Sequence, residues 1–285
     1  MNKIFFAQTS KNTLLWKWLS YGILIFSSVL VILPIVVIFL GSFKTGDEFN
    51  HGTPFELPSF SIMFDNYATA FKKGNMLLGF WNTFILIFFS GIGTVLTGSM
   101  TAYALHRFSF KLNKFIRRLF LWIALVPTIT TQVATFQIIQ KLGLYNTRLS
   151  VIILSMVTDI ISIMIYLQFL DNISVSLDES AVIDGANHWQ VFFKIIFPLL
   201  RPATVTILIL KSVNLYNDFY NPLLYMPHRS LMVISTSLYK FSGPFGTNWP
   251  VICAGVVIAV IPTLILFLFL QKYIYNGMVA GSVKE

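Results

Sequence analysis

The chain reads as an all-α membrane protein of six transmembrane helices with a helical loop on the cytoplasmic side, and three observations lead there. Of 285 residues, 56% are hydrophobic and only 11% charged, with mean hydropathy +0.75, against about 25% charged in a soluble domain. Six apolar runs reach the length of about 20 residues that a helix needs to cross a hydrocarbon core. Between the fourth and fifth runs lies a polar stretch, residues 171–202, whose pattern is that of two short helices and a turn.

The six predicted spans cover about 18–41, 80–105, 117–139, 149–170, 203–225 and 249–271, each judged by apolar length. The first follows Lys3, Lys11 and Lys17. Its apolar run from Leu19 to Leu40 exceeds the about 7 to 15 residues of a signal-peptide core and reads as a retained anchor. The outer loop from Ser42 to Gly79 carries Pro54 and Pro58 and predicts a short interfacial helix around Phe64 to Phe71. No stretch reads as a separate soluble domain, so residues 1–285 are expected to form one transmembrane domain.

Orientation follows from Lys and Arg in the short connections. The N-terminal segment and the second connection, with Arg107, Lys111, Lys114, Arg117 and Arg118, carry bases without acids and belong in the cytoplasm. The first connection mixes both signs, and the third and fifth carry only Lys141 with Arg148 and Arg229 with Lys240, which places them outside. Residues 171–202 then lie in the cytoplasm although acids outnumber bases there, since acids weigh little in topology. An even number of spans puts both termini in the cytoplasm.

Several function classes drop out. The formal net charge of +9 comes from short basic runs beside apolar segments, where they set topology or meet lipid headgroups, so nucleic acid is not an expected partner. Cys253 is the single cysteine, which rules out an intrachain disulfide and a cysteine metal cluster. There is no G-x-x-x-x-G-K-[ST] stretch; Phe43-Lys44-Thr45 lacks the glycine frame that cradles phosphate. His51, His106, His188 and His228 are scattered, without H-E-x-x-H spacing, and no G-x-S-x-G occurs. Neither enzyme activity nor a cofactor or metal of its own is expected.

In residues 171–202, Asp184-Gly185 is a turn dipeptide, because glycine accepts positive φ without steric cost. Trp189, Phe192, Phe193 and Ile196 follow it at helical spacing and predict an apolar face, and Pro198 and Pro202 limit the helix. Such a face on a cytoplasmic loop packs either under its own bundle or against a partner protein. Glu179-Ser180-Ala181, Gly185, Ile195 and Pro198 stand at the offsets of the Glu-Ala-Ala loop of ABC importer permeases, with Ser180 for Ala and Phe197 for Leu. The chain resembles that family, and within it the carbohydrate-uptake branch, in particular the smaller permease subunit of maltose-type importers. Supporting stretches are Ser42-Phe43-Lys44-Thr45, Trp81-Asn82-Thr83, Ala102-Tyr103-Ala104, Asn217-Asp218-Phe219 and Val279 to Lys284.

The resemblance implies a bacterial or archaeal cell membrane and a subunit that pairs with a second permease, as a heterodimer, above two ATP-binding subunits. Those partners use ATP and Mg, while an extracytoplasmic binding protein delivers a sugar. It implies that Glu179, Ala181, Asp184, Gly185, Trp189 and Pro198 form the coupling loop, and that Gly281 to Lys284 make a second contact with the ATPase pair.

Inside the spans, Asp159 and Lys211 fall about 16 Å and about 12 Å from the outer and inner ends of their helices at about 1.5 Å per residue, hence at comparable depth. Either they pair or each meets another polar group. Gln132, Gln137 and Gln140 with Asn214, Asn217 and Asn221 either offer hydrogen bonds to sugar hydroxyls or bond between helices, at about 0.6 to 2 kcal/mol each. Polar groups inside spans also leave open a self-sufficient, ion-coupled secondary transporter built on Asp159 and Lys211.

Overall fold

In a computed structural model the described residues are 10–58, 64–157, 159–243 and 246–280. They are almost wholly helical. α1 is Ser10–Gly41, α2 Gly46–His51, α3 Asp65–Lys73, α4 Met76–Arg107, α5 Asn113–Ala124, α6 Thr128–Lys141, α7 Arg148–Val157 and α8 Ile160–Leu170. There follow α9 Ser176–Ile183, α10 His188–Val191, a π turn at Phe192–Ile196, α11 Phe197–Leu199, α12 Arg201–Asn217, α13 Tyr220–Tyr225, α14 Ile234–Ser237 and α15 Trp249–Ala280. A two-residue antiparallel pair, Ser242–Gly243 with Gly246–Thr247, precedes α15.

Among the described residues, four helical stretches are long and apolar enough to cross a membrane: Trp16–Gly41, Met76–Arg107, Arg148–Leu170 and Trp249–Phe269. The count reaches six if each of two bent helix pairs makes one span. The expected third span, 117–139, is broken into α5 and α6, which meet at 104°. The cause is Pro127, extended at ψ 128, which lacks an N–H and pushes the residue before it out of helical geometry. The second bent pair joins His188–Leu199 to Arg201–Asn217 at 72°, and the expected fifth span, 203–225, divides further along. α12 stops at Asn217, Asp218 is extended, and α13 restarts with Pro222 inside it. Asp218 caps that restart: its carboxylate accepts from Asn221 N (3.1 Å) and Asn221 Nδ2 (2.8 Å).

The chain forms two compact units, Met1–Gly74 with Lys240–Val260, and Asn75–Tyr239 with Ile261–Glu285. In the first, the Ser42-Phe43-Lys44-Thr45 stretch is a knot of polar bonds. Asn66 Nδ2 donates to the carbonyls of Ser42 and Lys44 (3.0 and 2.9 Å), and the buried Lys44 ammonium donates to Thr53 O at 2.6 Å. Thr45 and Glu48 cap α2 reciprocally, and the T-x-x-E spacing is visible in the sequence. The interfacial helix expected near 64–71 is α3, Asp65–Lys73.

In the second unit α4 is the hub, packed against α7, α8, α12 and α14. Its start is pinned by Asn82, which is fully buried. Asn82 Nδ2 donates to Ser230 O (3.0 Å) and Met232 O (2.7 Å), while its Oδ1 accepts from Arg148 Nε (3.0 Å) and Nη2 (2.9 Å). Gly79 permits the approach, since a Cβ there would sit 3.2 Å from Ile234 Cα. Asn82→Leu strands two carbonyls and a guanidinium at once, and is expected to destabilise the unit by about 3 kcal/mol. Thermal unfolding in detergent, followed by size-exclusion fluorescence, measures this; an unchanged midpoint refutes it.

Two apolar cores occupy opposite ends of this unit. One joins the end of α4, α8, the segment 181–200 and the start of α12 through Tyr103, Tyr166, Phe192 and Ile207. The other joins the start of α4, α6, α7 and the end of α12 through Leu86, Ile139, Val151 and Leu215.

Candidate functional site

Residues 171–200 fold as a helical hairpin. α9 ends at Ile183, Gly185 turns the chain at φ +86°, and Asn187 opens α10 with a capping box closed by Gln190. The two limbs are held by inward side chains: Ala181, Val191, Phe192 and Ile196 are all buried. The predicted four-residue apolar face is therefore only half covered. Phe192 and Ile196 point inward, whereas Trp189 and Phe193 stack on each other outside, with ring centroids 6.1 Å apart. The stripe is two side chains wide, and one row of it is covered.

The site residues read from the sequence divide accordingly. Glu179, Asp184, Gly185 and Trp189 are exposed, Pro198 is half-buried, and Ala181 is buried against the chain's own core. Ala181 thus offers packing rather than a surface. The apolar exposure at the tip is high: Ile183 is 85% and Trp189 62% accessible. Gly281 to Lys284, the second expected contact, and Lys3 lie outside the described residues.

Sequence reasoning missed what ties the hairpin down. Arg107, at the last turn of α4, places Nε 3.1 Å from Asp178 Oδ2, with side chains only 4% and 13% exposed. Its Nη2 donates to Ile173 O at 2.8 Å. Tyr103 OH donates to the other oxygen of Asp178 at 2.9 Å, and His106 Nε2 meets Asp171 Oδ1 at 2.9 Å. Arg107 was legible as a topology signal, but its partner is 71 residues away and no local spacing reveals the pair. A cavity of about 270 Å³, lined by Met100, Tyr103, Phe108, His188, Trp189 and Phe192, opens beside this junction.

The polar residues of the spans separate into two groups. Asp159 and Lys211 do meet: Nζ lies 3.0 Å from Asp159 Oδ2 and donates to Ser155 O at 2.5 Å. Gln132 Nε2 donates to Tyr220 OH. Asn217 bonds its own helix at Val213 O (2.9 Å), Asn221 bonds Asp218, and Gln137, Asn214 and Asn217 are exposed. These amides do not converge on one another within the chain.

A family model described as binding-protein-dependent transport system inner membrane component matches residues 94–279. The chain belongs to that family. Residues 94–279 take in the second half of α4, the hairpin, the Lys211–Asp159 pair and α15. Among similar members, the melibiose/raffinose/stachyose import permease protein MelC of Bacillus subtilis (strain 168) is 32% identical over 78% of this chain and 82% of its own. The arabinooligosaccharides transport system permease protein AraQ of the same organism is 30% identical over 90% of this chain and 92% of its own. The fold is similar to that of a chain in the crystal structure of a bacterial ABC transporter involved in the import of the acidic polysaccharide alginate. The TM-score is 0.79 at 22% identity, covering 93% of this chain and 98% of that one. Like these relatives, this transport component is a permease subunit embedded in a membrane through several apolar helices.

Proposed function

We propose that this chain is one permease subunit of an ATP-driven importer that translocates a sugar or oligosaccharide delivered by an extracytoplasmic binding protein. It spans the membrane six times with both termini inside, pairs with a second permease subunit, and receives work from two ATP-binding subunits through residues 171–202. ATP and Mg are used by those subunits. The carbohydrate substrate rests on the names of the relatives, MelC and AraQ among them.

The observation that carries the reading is the hairpin: anchored inward at four buried positions, it presents Glu179, Ile183 and Trp189 around the Gly185 turn. Exposed apolar groups of this size on a cytoplasmic loop call for a protein partner. Orientation has independent support. Arg107, His106 and residues 171–178 meet at one end of the second unit, while Asn146, Tyr225 and His228 meet at the other through bonds of 2.8 and 3.0 Å. This is the arrangement expected if the second and fourth connections share the cytoplasmic side. The exposed amides Gln137, Asn214 and Asn217 on membrane helices point to a face covered by the second permease, since polar groups on spans turn toward a helix or a cavity. On that face they would line the sugar route together with Gln132 and Asn221.

The test is affinity purification from native membranes in mild detergent with identification of what comes along. An ATP-binding subunit and a second permease are expected, and both should be lost when residues 178–198 are replaced. Recovery of the chain alone, with ion-driven uptake after reconstitution, would instead support a secondary transporter.

A further inference from the structure

Between the two apolar cores of the second unit lies a polar seam. On α4, Thr94 and Thr97 fall between Leu86 of one core and Ala102 of the other; on α12, Lys211 falls between Ile207 and Leu215. The seam is filled by backbone that the α7–α8 junction sets free. Ser155 O accepts from Lys211 Nζ (2.5 Å) and Thr94 Oγ1 (3.4 Å), while the Thr97 hydroxyl, which donates to Gly93 O at 2.8 Å, lies 3.3 Å from Met156 O. Asp159 caps α8 by accepting from Ser162 N (3.1 Å) and pairs with Lys211 at 3.0 Å. One ammonium therefore bonds the last turn of α7 and the cap of α8 together.

Charge within a span is costly and persists where it does work or finds a partner. Simple charge balance needs only the carboxylate. The additional bond to Ser155 O places Lys211 across both halves of the fourth span, one half belonging to the core that holds the hairpin and the other to the core at the opposite end. Both halves pack against α4, α7 also against α13 and α8 also against α12.

We propose that Lys211 is a positioning residue for transport: it holds the two cores in register, so that displacement of the hairpin is delivered to the outer half of the bundle. The inference rests on the importer reading above and adds the route of transmission. It requires no titration of either group, only that the clasp stay closed while the hairpin moves.

The experiment uses the assembled transporter in proteoliposomes with sugar-loaded binding protein, and reads complex yield, ATP hydrolysis and sugar moved per ATP. Lys211→Met and Asp159→Asn each leave one charge unpaired and are expected to lower the yield. The double variant Lys211→Met/Asp159→Leu removes both charges and recovers the yield, yet sugar moved per ATP stays lower by about twofold to thirtyfold, the range of coupling changes along such routes. Lys211→Arg, which keeps charge and donors, retains more coupling than Lys211→Met. A double variant with both yield and coupling restored means that the pair only neutralises itself, and overturns the proposal. So do additive losses of yield in the double variant, which deny the pairing.

A second readout does not depend on transport. Spin labels at Ile153 on α7 and Leu177 on α9, in a Cys253→Ser background, report the distance between α7 and the hairpin. It should broaden in Lys211→Met, and an unchanged distribution overturns the clasp. Absence of ATP-driven uptake in the unmodified transporter would overturn the importer reading, and with it the transport role of Lys211, whatever the labels report.

Discussion

Arg107→Met is expected to reduce ATP-driven sugar uptake by at least about thirtyfold while the subunits still assemble. The reasoning begins with burial: Arg107 and Asp178 are 4% and 13% exposed and 3.1 Å apart. Removing one member of such a pair leaves the other charge uncompensated, at a cost of about 3 to 5 kcal/mol. Here that cost falls on the contact between the hairpin and α4, the helix against which α7, α8, α12 and α14 pack. A hairpin that detaches from α4 still reaches a partner surface with Trp189 and Ile183, so hydrolysis persists while its motion is no longer passed on. Asp178→Asn should be milder, because the Tyr103 hydroxyl can still donate to the amide oxygen. The reversed pair Arg107→Asp/Asp178→Arg should recover part of the loss. Parallel assays of uptake and ATP hydrolysis decide the matter: equal fractional losses of both would assign the pair to folding alone.

Gly185→Val should be nearly as damaging, for a backbone reason. Gly185 sits at φ +86°, where a β-branched residue is a steric outlier and the strain is about 1 to 3 kcal/mol. No side chain crowds the position, since a Cβ there meets nothing within 4 Å. The whole effect therefore comes from conformation. The turn opens, Glu179 and Trp189 lose their relative placement, and uptake falls about tenfold or more while the binding protein captures sugar as before. Glu179→Ala removes an exposed charge without strain, so it should weaken uptake without lowering the thermal stability of the subunit. Uptake assays beside sugar-binding measurements on the binding protein separate these outcomes, and full uptake in both variants would remove the hairpin from the coupling role.

Much of the candidate site was legible before any coordinates. The Asp184-Gly185 turn and the limbs on either side are encoded within about 25 residues, where turn chemistry and helical period act locally; Pro198, expected to limit the helix, lies inside it, and the helix runs on to Leu199. Even the Lys211–Asp159 contact was suggested by depth alone, because a helix rises by a constant about 1.5 Å per residue. What depth could not say is that the same ammonium also takes the Ser155 carbonyl.

Composition and the lengths of the apolar runs determined that this is a helical membrane protein, since transfer of about 20 residues into hydrocarbon depends on their sum and not on their neighbours. Tertiary structure alone decided the rest. It broke the fifth run at Asp218, turned Ala181 inward and left Trp189 outside. It also converted Arg107 from a marker of sidedness into the buried partner of Asp178. The physical reason is range: hydrophobicity and turn propensity are written residue by residue, whereas which row of a wide apolar stripe is covered, and which distant carboxylate meets a buried cation, depends on helices that approach only when the chain is folded.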